Sequence, residues 1–134
     1  MKRFNSDYIH GAHPAILERL CETNMEETPG YGEDNYCERA RALIRKAIQN
    51  EEAQVHFLVG GTQTNTTVIA AALRPHQGVL AAESGHVAVH ETGAIEAVNH
   101  KVITLLSSDG KINASQIDTY VEGHVNDESF EHMV

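Results

Sequence analysis

Val59-Gly60-Gly61-Thr62-Gln63-Thr64-Asn65 is the stretch on which the fold turns. Before it runs Gln54-Val55-His56-Phe57-Leu58-Val59, short and rich in β-formers; after it, Thr62 to Leu73 is Thr-rich, then Ala-rich, and is stopped by Arg74-Pro75. A change from strand to helix across two glycines predicts a β-turn-α junction. Glycine lets a ligand come close to the backbone. The first turn of the helix has amide N–H groups without intrahelical partners and a partial positive charge. With the hydroxyls of Thr62 and Thr64 alongside, the junction suits a phosphate. No Gly-Lys-Ser/Thr follows and the three-glycine dinucleotide pattern is missing, so neither of those nucleotide loops is present. A Gly-Gly turn after a strand also has a purely structural reading, and on its own it does not decide between them.

Outward from the junction the same alternation continues. Gly78-Val79-Leu80-Ala81-Ala82 predicts a second strand, residues 85–98 a loop with a helical turn or two, and Lys101 to Leu106 a third strand. Ser108-Asp109-Gly110-Lys111 is a turn into a last helix near Ala114, with Ile117, Tyr120 and Val121 on its apolar side. Toward the N-terminus, Pro14 to Thr23 is a helix with Ile16, Leu17, Leu20 and Cys21 on one face. The loop Pro29-Gly30-Tyr31-Gly32 follows, and Asp34 caps a helix running to about Asn50. In that helix Ala40, Leu43, Ile44, Ala47 and Ile48 are expected to face inward, and Arg39, Arg41, Arg45 and Lys46 outward. Strands alternating with helices indicate β-α-β units and a parallel sheet. The division expected is an N-terminal helical segment, 1–50, and β-α-β units over 51–134.

Composition narrows the function classes. A net charge of −9 over 134 residues argues against a nucleic-acid partner, whose phosphates need a basic surface. No apolar run approaches the roughly 20 residues that cross a bilayer, and Met1 to Asp7 turns polar at once, so no membrane partner is expected and the reading is a cytoplasmic protein. Cys21 and Cys37 lack metal-type spacing and read as reduced, half-buried thiols.

The second feature with chemistry in it is Glu83-Ser84-Gly85-His86-Val87-Ala88-Val89-His90-Glu91-Thr92-Gly93-Ala94. It follows the second strand and so lies at the carboxyl edge of the sheet, where open α/β folds bind ligands. An imidazole there can stack on a flat ring or move protons near neutral pH. His86 and His90 share a helix face, but Glu91 is off it, so zinc lacks a third ligand and no metal is expected. His56 reads as a buried, hydrogen-bonded strand residue. His76, His100, His124 and His132 read as surface, and His10 and His13 lie in a loop before a helix.

With these segments in order, the sequence resembles the low-specificity L-threonine aldolase and β-eliminating lyase family of fold-type-I pyridoxal-phosphate enzymes. The stretches that match are Ser6-Asp7, Gly30-Tyr31-Gly32-Glu33-Asp34, Gly60 to Asn65, and Gly85-His86 through His90-Glu91-Thr92-Gly93-Ala94. The resemblance implies part of the three-layer α/β/α large domain, an α/β fold with a mostly parallel sheet that is incomplete in this chain. It implies that Gly61, Thr62 and Gln63 hold the phosphate of pyridoxal 5'-phosphate and that His86 stacks on the ring and takes part in catalysis. It assigns the substrate carboxylate to Ser6, and brings Tyr31 to the substrate site, across a dimer interface in one version. The reaction implied is cleavage of the Cα–Cβ bond of a β-hydroxy amino acid to glycine and an aldehyde.

The sequence departs from the family pattern in one respect. An amine must attack the cofactor aldehyde, and the Schiff-base lysine, the aspartate at the pyridine nitrogen and the arginine for the substrate carboxylate belong to family segments beyond Val134. Lys2, Lys46, Lys101 and Lys111 do not match that lysine. The chain alone is therefore expected to be an inactive N-terminal part that works in a homo-oligomer or with a complementing C-terminal part. The alternatives are a non-catalytic truncated product that only associates with other chains, and a small phosphate-ligand binding domain. In the family sheet the first strand is not a neighbour of the second.

Overall fold

Each helix in this chain starts and stops for local reasons. The computed structural model describes residues 9–126; Ser6, Lys2 and His132 lie outside the described residues. Helix α1 (Pro14–Thr23) has proline in its first turn, and His13 caps it by accepting the Ala15 N–H at Nδ1, 3.2 Å. Helix α2 (Asn35–Ile48) is capped by Asp34, whose Oδ1 accepts the Cys37 N–H at 2.9 Å. It closes on Gln49 in the left-handed conformation, φ 55°, which turns that residue's N–H back onto the last carbonyls of the helix. Helix α3 (Gly61–Ala72) begins one residue earlier than the sequence reading and ends before Leu73. Strand β1 (Gly78–Ala82), the single turn α4 (His86–Val89), a 3₁₀ turn (Glu96–Val98), strand β2 (Lys101–Leu105) and helix α5 (Ala114–Asn126) complete the order.

The chain forms two compact units, one ending at Phe57 and the other beginning at Leu58. In the first unit the expected faces of α2 are kept only in part: Arg39 and Lys46 are exposed and Ala40 is half-buried as expected, but Ile44 and Ala47 are exposed. Leu43 and Ile48 are exposed, whereas Arg41 and Arg45 are half-buried. The cause lies in the run 54–59, expected as a strand. It forms no strand and pairs with none among the described residues, so its carbonyls need other donors. Arg41 Nε donates to the Val55 carbonyl of this run at 3.2 Å, and Arg45 Nε to that of Ala53, just before it, at 3.0 Å. The Arg41 guanidinium also lies 5.5 Å from the Phe57 ring centroid. The arginines are drawn inward because the segment beside them lacks a sheet partner. His56, on the same run, is exposed rather than buried, for want of a sheet to cover it.

The second unit is organised by β1 and β2, which pair in parallel from Gly78 opposite Lys101 to Ala82 opposite Leu105. Parallel neighbours need a crossover, and here residues 83–100 supply it with α4 and the 3₁₀ turn. Ala81, Ala82, Ile103 and the fully buried Ile95 form the apolar centre. Burying Ile95 contributes about 2 kcal/mol. Gly78 is required by packing: a Cβ there would sit 2.6 Å from Ile103 Cδ1 and 2.9 Å from the Lys101 carbonyl oxygen. β2 stops at Leu105, and Leu106, expected in the strand, is exposed.

Two histidines expected at the surface are not there. His100 is only 5% exposed, because its Nδ1 lies 3.0 Å from the Gln77 carbonyl and ties together the starts of both strands. His124 falls inside α5 and is half-buried. Cys21 is exposed and Cys37 half-buried, both free; Cys21 was expected to be half-buried, but α1 has no buried residue. No helix among the described residues is long and apolar enough to cross a membrane.

Candidate active site

The N-terminus of α3 is open. Gly60 occupies the cap position with no side chain to close it, and the first backbone bond of the helix runs from the Thr64 N–H to the Gly60 carbonyl at 3.0 Å. The amides of Gly61, Thr62 and Gln63 precede that bond and are the orphan donors of the first turn. A Cβ built on Gly60 or Gly61 meets nothing within 4 Å, so there is free space in front of them. The side chains divide. Thr62 is exposed at the mouth of this turn. Thr64, offered by the sequence as a second hydroxyl donor, is committed to the Gly60 carbonyl at 2.9 Å. Gln63 folds back so that Oε1 accepts the Val59 N–H at 3.0 Å, a variant of the capping box, leaving only its backbone amide for a ligand.

His86 opens α4 directly beyond the carboxyl end of β1. Gly85, its cap, is held against the strand end: its N–H donates to the Ala82 carbonyl at 2.7 Å, and a Cβ on it would meet that oxygen at 2.9 Å. α4 ends after Val89, and Thr92 (φ 53°) and Gly93 (φ 76°) turn the chain back. The turn carries Glu91 beneath the imidazole. Glu91 Oε1 lies 2.9 Å from His86 Nδ1 and accepts the Asn65 side-chain amide at 2.6 Å. Its side chain is 0% exposed while that of His86 is 64% exposed. The carboxylate is a buried support and the ring above it is open to a ligand.

Asn65 stands one turn into α3, so this bridge connects the open helix end to His86. Glu91 and Asn65 both lie in the stretches that carry the family resemblance, but neither has a role legible from sequence alone. Glu91 was set aside as off the helix face that carries His86 and His90; because α4 is only four residues long, the chain has already turned there. The buried position could not be read from spacing, although a glutamate in an otherwise small and apolar stretch ending Thr-Gly-Ala was a signal. The other Glu91 oxygen, Oε2, is buried without a hydrogen-bond partner among the described residues. The His90 ring lies 5.4 Å from that of His86, tilted by 52°.

Tyr31 belongs to the first unit. It is fully exposed at the tip of its loop with φ 62°, a conformation uncommon for a residue with a Cβ. Arg41 Nη1 fixes the loop by donating to the Gly32 carbonyl at 2.8 Å. Among the lysines, Lys101 starts β2 at the strand end opposite His86, and Lys111 pairs with Asp109 at 3.5 Å.

An open helix end on α3 and a supported, exposed imidazole beyond β1 are joined through Asn65 and Glu91 in an α/β unit with a parallel strand pair. The profile of the beta-eliminating lyase family matches residues 3–132, and the chain belongs to that family. A low-specificity L-threonine aldolase of Pseudomonas aeruginosa is 27% identical over 118 residues, covering 87% of this chain and 34% of its own length. The protein of the same description from a Pseudomonas species matches to the same extent. A solved structure of Leishmania major threonine aldolase superposes with a TM-score of 0.89 at 41% identity, over 96% of this chain and 37% of that one. The fold is therefore part of the fold-type-I large domain, and the chain spans about a third of the length of the relatives it matches.

Proposed function

We propose that these residues form the phosphate- and ring-binding portion of a pyridoxal-phosphate site in a lyase of the threonine aldolase type. Supporting this reading is the bridge from Asn65 through Glu91 to His86, which couples the open turn of α3 to the exposed imidazole. The residues fit the cofactor. Unoccupied amides with space before them suit a phosphate dianion, and an imidazole with one nitrogen held and its face open suits a flat ring.

When bound, pyridoxal phosphate supplies an electron sink that allows a bond at the substrate α-carbon to break. The chain's own residues do the rest. The amides of Gly61, Thr62 and Gln63, with the Thr62 hydroxyl, hold the phosphate. The His86 ring would stack on the cofactor ring, and its Nε2 would accept the proton of the β-hydroxyl of a β-hydroxy amino acid during cleavage to glycine and an aldehyde. Ser6 and Tyr31 would serve the substrate, Ser6 at its carboxylate, in a homo-oligomer or with a complementing C-terminal part. None of Lys2, Lys46, Lys101 and Lys111 is assigned as the Schiff-base lysine in this reading.

Mixing the chain with a polypeptide that carries the remaining two thirds of the family fold tests this. The mixture should fix pyridoxal phosphate onto a lysine on borohydride reduction and cleave threonine; the chain alone should do neither. A specific lysine of this chain labelled in isolation refutes the reading.

A further inference from the structure

Glu91 presents a physical problem that the cofactor reading does not solve. A glutamate whose side chain is fully buried, with one oxygen lacking a hydrogen-bond partner among the described residues, costs stability. Its other oxygen nevertheless serves two groups, the Asn65 amide at 2.6 Å and His86 Nδ1 at 2.9 Å. Asn65 Nδ2 can only donate. The imidazole is different, because the proton on Nδ1 or Nε2 is decided by what the other nitrogen faces.

We infer that Glu91 is a positioning residue that fixes the tautomer of His86. As a carboxylate it only accepts, so Nδ1 carries the proton and Nε2 keeps a bare lone pair on the exposed side of the ring. Asn65 holds the carboxylate in place from α3, so the ring is registered against the helix end and its accepting nitrogen stays clear of the protein. Carboxylates that orient a ligating or catalytic histidine through its far nitrogen act in the same way. The inference deepens the reading of the site given above but is tested without the cofactor.

Two-bond ¹H–¹⁵N correlation of the full chain, at a pH where the imidazole is neutral, reads which nitrogen of His86 is protonated. The expected result is a protonated Nδ1 and an unprotonated Nε2. Asn65→Ala should keep that pattern, and Glu91→Ala should lose it in favour of an Nε2-protonated or mixed ring. Glu91→Gln, which retains an acceptor oxygen of the same reach, should restore it. A buried residue with a merely structural role would not move the tautomer. An Nε2-protonated ring in the unsubstituted chain overturns the inference, even if Glu91→Ala fails to fold. So does an unchanged His86 pattern in a well-dispersed Glu91→Ala spectrum. A chain that shows the expected tautomer yet binds no pyridoxal phosphate in any mixture sinks the cofactor reading and leaves this one standing.

Discussion

Replacing Arg41 with alanine should destabilise the first unit by about 2–3 kcal/mol. The side chain is 22% exposed, so solvent does not fully replace what it loses. Its hydrogen bonds to the carbonyls of Gly32 at 2.8 Å and Val55 at 3.2 Å contribute about 1 kcal/mol each. The contact of the guanidinium with the Phe57 ring, 5.5 Å to the centroid, adds about 0.5–1 kcal/mol. The ion pair with Glu38 at 3.5 Å adds little, because Glu38 is 63% exposed. Urea unfolding followed by far-UV circular dichroism measures the difference, with hydrogen exchange at 53–57 showing where protection is lost. Arg41→Lys keeps charge and stem but cannot reach both carbonyls in the same geometry, and should recover less than half. Glu38→Gln is the control and should stay within about 0.5 kcal/mol of the unsubstituted chain. If Arg41→Ala unfolds at the same urea concentration as Glu38→Gln, the arginine is not what holds the 53–57 segment, and the explanation for its half-buried place on α2 fails.

Other expectations follow from single contacts. Gly78→Ala should cost about 1–3 kcal/mol and weaken protection of the β1–β2 amides, because its Cβ would stand 2.6 Å from Ile103 Cδ1 and 2.9 Å from backbone oxygen. The Asp34 carboxyl is held below its ordinary range by its hydrogen bonds with Cys37, first side chain and then backbone. A depressed folded-state value means the cap stabilises α2 fully above the unfolded carboxylate range and loses that effect as the pH falls through the folded value. The Cys37 amide should therefore exchange faster in acid beyond the intrinsic rate, and Asp34→Asn should abolish that dependence. The same contact raises the Cys37 thiol, so thiol reagents at neutral pH should modify exposed Cys21 first and reach Cys37 sooner in Asp34→Asn. In a reconstituted lyase, His86→Phe should retain cofactor stacking while turnover falls by roughly 10²-fold or more. Unchanged kinetics would remove His86 from proton transfer.

The junction at Gly60-Gly61 was legible because a helix start without a capping side chain is a local property, written in the residue types on either side of it. So were β1, β2 and the Asp34 cap, each fixed within a few residues of its own position. What the sequence hid was decided by distant partners. Residues 54–59 have strand composition, but a strand exists only if a neighbour takes its hydrogen bonds, and Arg41 and Arg45 were drawn inward as a result. His100 is buried by Gln77, twenty-three residues away, which no periodicity signals. Glu91 illustrates the same limit at the site. Its role depends on α4 ending at Val89 and on two left-handed residues turning the chain, so the face on which a longer helix would place it was the wrong frame.

Titrating the ¹⁵N-labelled chain with pyridoxal phosphate, while following the amides of Gly61, Thr62 and Gln63 together with the ring nitrogens of His86, tests the shared site most directly. One saturable process should move all of them in parallel, with inorganic phosphate shifting the three amides but not the ring. Amides and ring responding at separate concentrations, or the amides remaining still while the ring moves, would show that helix end and imidazole do not serve a single ligand.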